Sequence, residues 1–289
     1  MGDSCENKAA CPTYACGCDA GEDVSAAGAE ASGAPCAGEA SAPYELTPAR
    51  EAGASGTESS SVVGELVPAR EAVAAAAATG RTPLALHACC GPCSLEPVAS
   101  LRDEGFEPVI LWDNPNIQPA AEHDLRLATL LSWAADARVA VIRCERGSGS
   151  GISSTHTLGE ARDAWERTVA PHGFDREARC RACYAIRLNA AAKAAAELGF
   201  THLSTTLAVS PYQLFETCTE LLQKLAAANG LAPVVRDWRP LYPEATRESR
   251  ERGMYRQNYC GCRFSAAEAT MERHERRDER KRAKAAGRK

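Results

Sequence analysis

Leu84-Ala85-Leu86-His87-Ala88, then Cys89-Cys90-Gly91-Pro92-Cys93, then residues 94–104 read as a short buried strand, a cysteine loop and a helix closed by Gly105. The same order recurs downstream. A strand over 107–112 precedes the loop Asn114-Pro115-Asn116-Ile117-Gln118-Pro119, a helix over about 120–135 and a strand over 138–143. A long Ala-rich helix is expected after Cys183, then a strand over 202–207, a helix over 213–228 and a strand over 233–236. This alternation predicts an α/β fold with a Rossmann-like, mostly parallel sheet carrying helices on both faces. Sites in such sheets form where strands end, so the loops at Cys89, Ser210 and Asp237 are expected to share one crevice.

Upstream of this stretch the texture differs. Residues 1–80 hold 12 Asp and Glu against 3 Lys and Arg, whereas residues 81–289 hold 26 against 30. The first 80 residues are Ala, Gly, Ser, Glu and Pro with few large apolar side chains, a composition that does not offset chain entropy, and they read as a disordered acidic extension. Within it, Glu45-Leu46-Thr47-Pro48-Ala49-Arg50-Glu51-Ala52 nearly recurs as Glu65-Leu66-Val67-Pro68-Ala69-Arg70-Glu71-Ala72, two copies being too few for a solenoid. Residues 81–270 form the expected folded domain and 271–289, with 9 Lys and Arg against 4 Asp and Glu, a basic helical tail. At 289 residues the chain exceeds a minimal module, and no apolar run approaches membrane-spanning length. The acidic start and the absence of a basic leader before the Ala72 to Ala78 run predict no signal peptide and a cytoplasmic location.

Seven of the 14 cysteines fall in three tight groups: Cys89, Cys90 and Cys93; Cys180 and Cys183; Cys260 and Cys262. In a reducing compartment such groups point to metal or redox chemistry rather than structural disulfides. Isolated Cys144 and Cys218 read as small buried hydrophobes, and Cys5, Cys11, Cys16, Cys18 and Cys36 receive no function. Two C-x-x-C pairs supply four thiolates for zinc or a four-iron cluster. The 86 residues between Cys93 and Cys180 are long for a zinc ribbon, and adjacent Cys89 and Cys90 suit two corners of a cuboidal cluster, so Cys89, Cys90, Cys180 and Cys183 are the expected ligands. Two alternatives stand beside this. Cys90-Gly91-Pro92-Cys93 before a helix also suits a thioredoxin-like thiol–disulfide oxidoreductase, and a zinc-stabilised RNA-binding module uses the same thiols. Cys260-Gly261-Cys262 reads either as a strained redox disulfide or as a glycine turn bearing further metal ligands.

Taken together, Leu86 to Ser94, Asn114-Pro115-Asn116-Ile117, Arg179-Cys180-Arg181-Ala182-Cys183-Tyr184 with Arg187-Leu188, Ser204-Thr205-Thr206-Leu207 with Ser210-Pro211-Tyr212-Gln213, and Tyr255-Arg256-Gln257-Asn258-Tyr259-Cys260-Gly261-Cys262 resemble the QueH-type epoxyqueuosine reductases. The resemblance implies reduction of epoxyqueuosine to queuosine in tRNA, the last step of queuosine biosynthesis. It implies a [4Fe-4S] cluster on Cys89, Cys90, Cys180 and Cys183 and a redox-active disulfide between Cys260 and Cys262. It also implies a separate mononuclear iron, for which Cys93 with Asp113 or Asp237 is the local choice. Trp112-Asp113, Trp238 and the 80-residue extension depart from the family pattern.

Removing an epoxide oxygen consumes two electrons and two protons, so a redox centre, an external electron donor and a protonating acid are required. Asp237, His87 and Tyr259 are the candidate acids. Arg236, Trp238, Arg239, Tyr242, Tyr255, Arg256, Tyr259 and Arg263 mix cations with aromatics as an anticodon-facing surface would, and the basic tail offers charge for phosphates.

Overall fold

The computed structural model describes residues 68–153 and 155–286. Cys5, Cys11, Cys16, Cys18, Cys36, the first repeat copy and the proposed disorder of residues 1–67 lie outside them. The elements run α1 (Ala69–Ala78), β1 (Thr82–Ala88), α2 (Leu95–Asp103), β2 (Phe106–Trp112), α3 (Ala120–Ala137), β3 (Val141–Arg143), α4 (Leu158–Val169), α5 (Arg176–Glu197), β4 (His202–Thr205), α6 (Phe215–Ala228), β5 (Ala232–Pro233), α7 (Tyr242–Glu251) and α8 (Arg263–Ala286).

All five strands are parallel, in the order β3-β2-β1-β4-β5, with Thr82 opposite Phe106 and Ala85 opposite Leu203. Period-two alternation along β1 and β2 divides the core. Leu84, Leu86, Ile110 and Trp112 face α2 and α3 through Leu95, Val98, Leu101 and Leu130. Ala85, Val109 and Leu111 face α1, α5 and α6 through Ala72, Ala192, Ala195 and Leu222. Burial on both faces is why these strands read as continuous apolar runs, and it confirms helices on both sides of the sheet. The chain builds outward from β1 to β3, then returns to add β4 on the other side of β1. That reversal opens a crevice at the carboxyl ends of β1 and β4, where both cysteine-bearing and Thr205-bearing loops emerge.

Several boundaries differ from those expected. Helix α1 lies inside the stretch assigned to the extension: Ala69, Ala72 and Ala76 recur at helical spacing and are all buried, so small residues pack closely where large ones are absent. The folded domain therefore begins before residue 81. No break separates the tail at residue 270 either, because α8 is continuous from Arg263. Arg138 does not start a strand; it closes α3 in a left-handed conformation with φ 53°, which delays β3 to Val141. Strand β4 stops at Thr205, whose hydroxyl accepts from the Leu207 N–H at 3.2 Å and turns the chain. Helix α5 begins before Cys180 rather than after Cys183, started by Asp175, whose carboxylate accepts from the Ala178 N–H at 3.2 Å. Helix α4 was not expected; a Thr157–Glu160 capping box starts it, with each side chain accepting from the other's backbone N–H.

Candidate active site

The loop leaving β1 turns tightly into a single 3-10 turn at Pro92–Ser94 before α2. Gly91 leaves room there for the end of the Met254 side chain, whose Cε would stand 2.6 Å from a Cβ. This turn gathers Cys89, Cys90 and Cys93. Hydrogen bonds from the Cys90 and Cys93 thiols hold the Cys89 thiol well below its ordinary value, although burial opposes this. The contact with Cys89 correspondingly pushes Cys90 up to about 12 and Cys93 well above its ordinary value. Gln257 Nε2 donates to Cys90 Sγ at 2.9 Å.

Helix α5 carries Cys180 and Cys183 three residues apart and Arg187 four further on, so all three share one face. Trp165 Nε1 of α4 donates to Cys183 Sγ at 3.3 Å. Arg187 is 0% exposed and donates Nη2 to Asn114 Oδ1 at 2.6 Å, while its Nε and Nη1 have no partner among the described residues. Burial opposes its charge, but the fields of Cys183, Cys89 and Cys260 outweigh that and raise its pKa. One buried guanidinium thus feels the charge of a thiol from each of the three cysteine groups.

The third group is clamped into place from α3. Arg126 pairs with Glu122 at 2.7 Å and donates to the Cys260 carbonyl at 2.9 Å and the Tyr259 carbonyl at 3.3 Å. Tyr255 donates to Glu122 and Tyr259 to the Gln118 carbonyl, each at 2.6 Å. Gln118 N–H reaches the Gly261 carbonyl at 2.9 Å, and a Cβ at Gly261 would stand 2.9 Å from Asn116 Nδ2. With φ 140° as well, only glycine suits this position. Burial, then the neighbouring Cys183 and Cys262 charges, pushes Cys260 up to about 12. Cys260 and Cys262 are free thiols here, so the expected disulfide is not formed in this structure.

Around these thiols buried polar atoms stand without partners among the described residues: His87 Nε2, Asp113 Oδ2, both amide atoms of Asn116, Thr206 Oγ1 and Gln257 Oε1. Such atoms are rare in a folded interior, and their concentration at one end of a sheet marks a site built to receive something. A small cavity of about 40 Å³ opens here, lined by Cys93, Val209, Tyr242, Arg256 and Gln257 among others. The Cys89 and Ser210 loops thus meet as expected.

The expected acids fare differently. Asp237 is not among the residues lining that cavity. It is 41% exposed, and Arg239 holds its carboxylate with two contacts of 2.8 Å, lowering its pKa; that is the ionised form, not an acid. His87 lies 2.9 Å from Thr205 Oγ1, and burial, reinforced by Arg187, lowers it to about 3, so it is neutral rather than cationic. Tyr259 keeps its hydroxyl on the Gln118 carbonyl. Asp113, read earlier only as a ligand, is raised to about 7 by burial and Glu145, against the pull of Arg187. It sits with Glu145 and Arg187, whereas Cys93 faces Cys89 and Cys90. Among the described residues no three Cys, His, Asp or Glu side chains surround a common point as ligands of a single ion.

The cation and aromatic set is also divided. Trp238 is a core residue, 3% exposed, with Nε1 donating to Ser100. Arg236 is held by Glu104 and Arg263 by Glu166. Tyr242 and Arg256 reach the cavity, and exposed Tyr212, 6.1 Å from Tyr242 in an edge-on contact, adds an aromatic that the earlier set omitted. Cys144 and Cys218 are fully buried in the core.

Residues 84–268 match the family model described as epoxyqueuosine reductase QueH. The chain belongs to the QueH family. Proteins named epoxyqueuosine reductase QueH from Dehalococcoides mccartyi and Thermotoga maritima are 28% and 29% identical to it. The first match covers 64% of this chain and 93% of the relative, the second 63% and 90%. A QueH of Acinetobacter baylyi is 28% identical over 63% of this chain and 79% of its own. The QueH match spans all nine cysteines of the described residues and ends inside α8. Sequence reasoning noted Arg187 only as part of a motif; its spacing from Cys183 was the signal that it joins the thiols. Trp165 had no such signal because α4 was not foreseen.

No helix among the described residues is long and apolar enough to cross a membrane.

Proposed function

We propose that this protein reduces epoxyqueuosine to queuosine in tRNA, taking electrons from an external donor, with a [4Fe-4S] cluster held by Cys89, Cys90, Cys180 and Cys183. The observation that carries the reading is Arg187: a buried cation with two unpartnered N–H-bearing atoms, feeling the charge of thiols of all three cysteine groups in a chain of the QueH family. The donor set fits such a group. Soft thiolates suit iron and sulfur, and the buried cation compensates the negative charge that several thiolates bring together.

The bound cluster would supply electrons one at a time. Opening the epoxide to an alkene takes two electrons and two protons and releases the oxygen as water. Closing Cys260 and Cys262 to a disulfide releases the same count, two electrons and two protons, and an external reductant would restore the dithiol. Arg126 and Glu122 hold that loop in place from α3. Asp113, protonated near neutrality, is better suited than Asp237 to deliver a proton, and neutral His87 can fix Thr205 and the base without adding charge. Cys93 remains free on the cavity wall, and we retain it as the protein's contribution to a separate iron. Tyr212, Tyr242 and Arg256 present rings and charge to a base at the cavity mouth.

The test is anaerobic purification with iron, sulfide and zinc analysis, followed by incubation of epoxyqueuosine-containing tRNA with the protein and a chemical reductant. Mass spectrometry of the nucleosides should show loss of one oxygen atom. Stoichiometric zinc with no iron, or unchanged tRNA with a fully loaded protein, rejects the reading.

A further inference from the structure

Helix α8 leaves the site directly after Cys262 and changes character along its length. Its first turns are fastened: Phe264 meets Phe174 edge-on, and Glu268 pairs with buried Arg179 at 2.8 Å. From Met271 to Ala286 every residue is exposed. The QueH match ends at residue 268, so this exposed part lies beyond the region shared with the family model.

Its charges are sorted. At about 100° per residue, Arg273, Arg276, Arg277, Arg280, Lys281 and Lys284 fall within an arc of about 140°. Those six line a single shallow groove on the helix surface. Glu272, Glu275, Asp278 and Glu279 occupy the opposite arc of about 120°, with Arg282 the one Arg or Lys among them. A helix that only needed solubility and internal ion pairs would interleave the two signs at i and i+4. Here only Arg276 and Lys281 of the stripe have acidic partners, both at 3.4 Å, and Arg277, Arg280 and Lys284 have none among the described residues.

We propose that this stripe is a second tRNA contact, an arm that grips backbone phosphates away from the reacting base. Four of its six cations are arginine, whose planar guanidinium matches phosphate in two-point contact. The helix carries no apolar face, which a membrane-surface helix would need. At about 1.5 Å per residue the stripe extends from roughly 16 to 33 Å beyond Cys262, a reach suited to the stem behind a nucleotide held at the thiols. The identity of the RNA rests on the reductase reading above; the phosphate contact does not.

The experiment compares the full chain with a variant carrying R273Q, R277Q, R280Q and K284Q, since glutamine keeps helix propensity. The probe is an unmodified full-length tRNA transcript titrated at several salt concentrations. The variant should bind at least tenfold more weakly, and the slope of log affinity against log salt should fall by about 3. On epoxyqueuosine tRNA its KM should rise with kcat unchanged, while an isolated anticodon stem-loop should show no KM difference. The opposite-face variant E272Q, E275Q and E279Q should bind no more weakly than the native chain. Unchanged affinity and slope overturn the proposal. So does an equal loss per charge from R282Q on the other face, or a stripe-dependent affinity for anionic lipid vesicles exceeding that for tRNA. A native chain that grips tRNA through the stripe but never reduces it would instead defeat the reductase reading and leave this one standing.

Discussion

Helices α5 and α8 are the two longest among the described residues and both are rich in arginine, yet their arginines live in opposite surroundings. In α5, Arg179 and Arg187 are 2% and 0% exposed and face sulfur or a fixed partner. In α8, Arg273, Arg276, Arg277 and Arg280 face water and lie on one side, with Arg282 opposite them. The same side chain therefore serves two ends. Buried, its charge is set among thiols and fixed partners; exposed, it is open to charged groups outside the chain.

The difference is sharpest at Arg187. Arg187→Met should lower iron content and reductase activity at least tenfold, while the thermal midpoint of the metal-free protein should not fall, because an uncompensated buried charge has been removed. A variant that loads iron normally would place α5's arginine on the same footing as those of α8. The apolar sides should contrast next. Leu188→Ala, in the core beneath α5, should cost about 2–5 kcal/mol in denaturant unfolding, whereas Met271→Ala on α8 should cost less than about 0.5 kcal/mol.

The carboxyl that faces Arg187 gives a pH signature. Asp113 is raised from 3.8 to about 7, so between those values the folded state holds a proton the unfolded chain has released. Its contribution to stability is fully present below that window and declines as pH rises through it. His87, lowered from 6.5 to about 3, contributes the reverse trend between those values, its stabilising effect being lost as pH falls. Asp113→Asn should therefore gain on the native protein by up to ~4 kcal/mol as pH climbs from about 4 to 7, read from denaturant midpoints. A constant difference would remove Asp113 from Arg187's buried neighbourhood. The smallest contrast is between ion pairs. Glu268→Ala strands buried Arg179 and should cost about 1–3 kcal/mol, whereas removing Glu220 from exposed Arg181 should leave unfolding unchanged.

Much of this architecture was legible beforehand because it depends on local periodicity. Alternating apolar strands and helices announced the parallel sheet, and the clustered cysteines announced a thiol site at strand ends. What escaped was decided by partners remote in sequence. Helix α1 is almost all alanine and gains its place only from close packing on β1 and β2. Trp238 resembled a surface aromatic until α2 covered it. Asp237 looked like an acid, but Arg239 two residues on keeps it ionised.

The sequence by itself determined the alternation of strands and helices and the grouping of Cys89, Cys90 and Cys93, of Cys180 and Cys183, and of Cys260 and Cys262, since both are local in the chain. Tertiary structure alone decided that three cysteine groups, up to 173 residues apart from Cys89 to Cys262, would come within electrostatic reach of one guanidinium. Charge and burial act through space, and only the folded chain states which atoms share it.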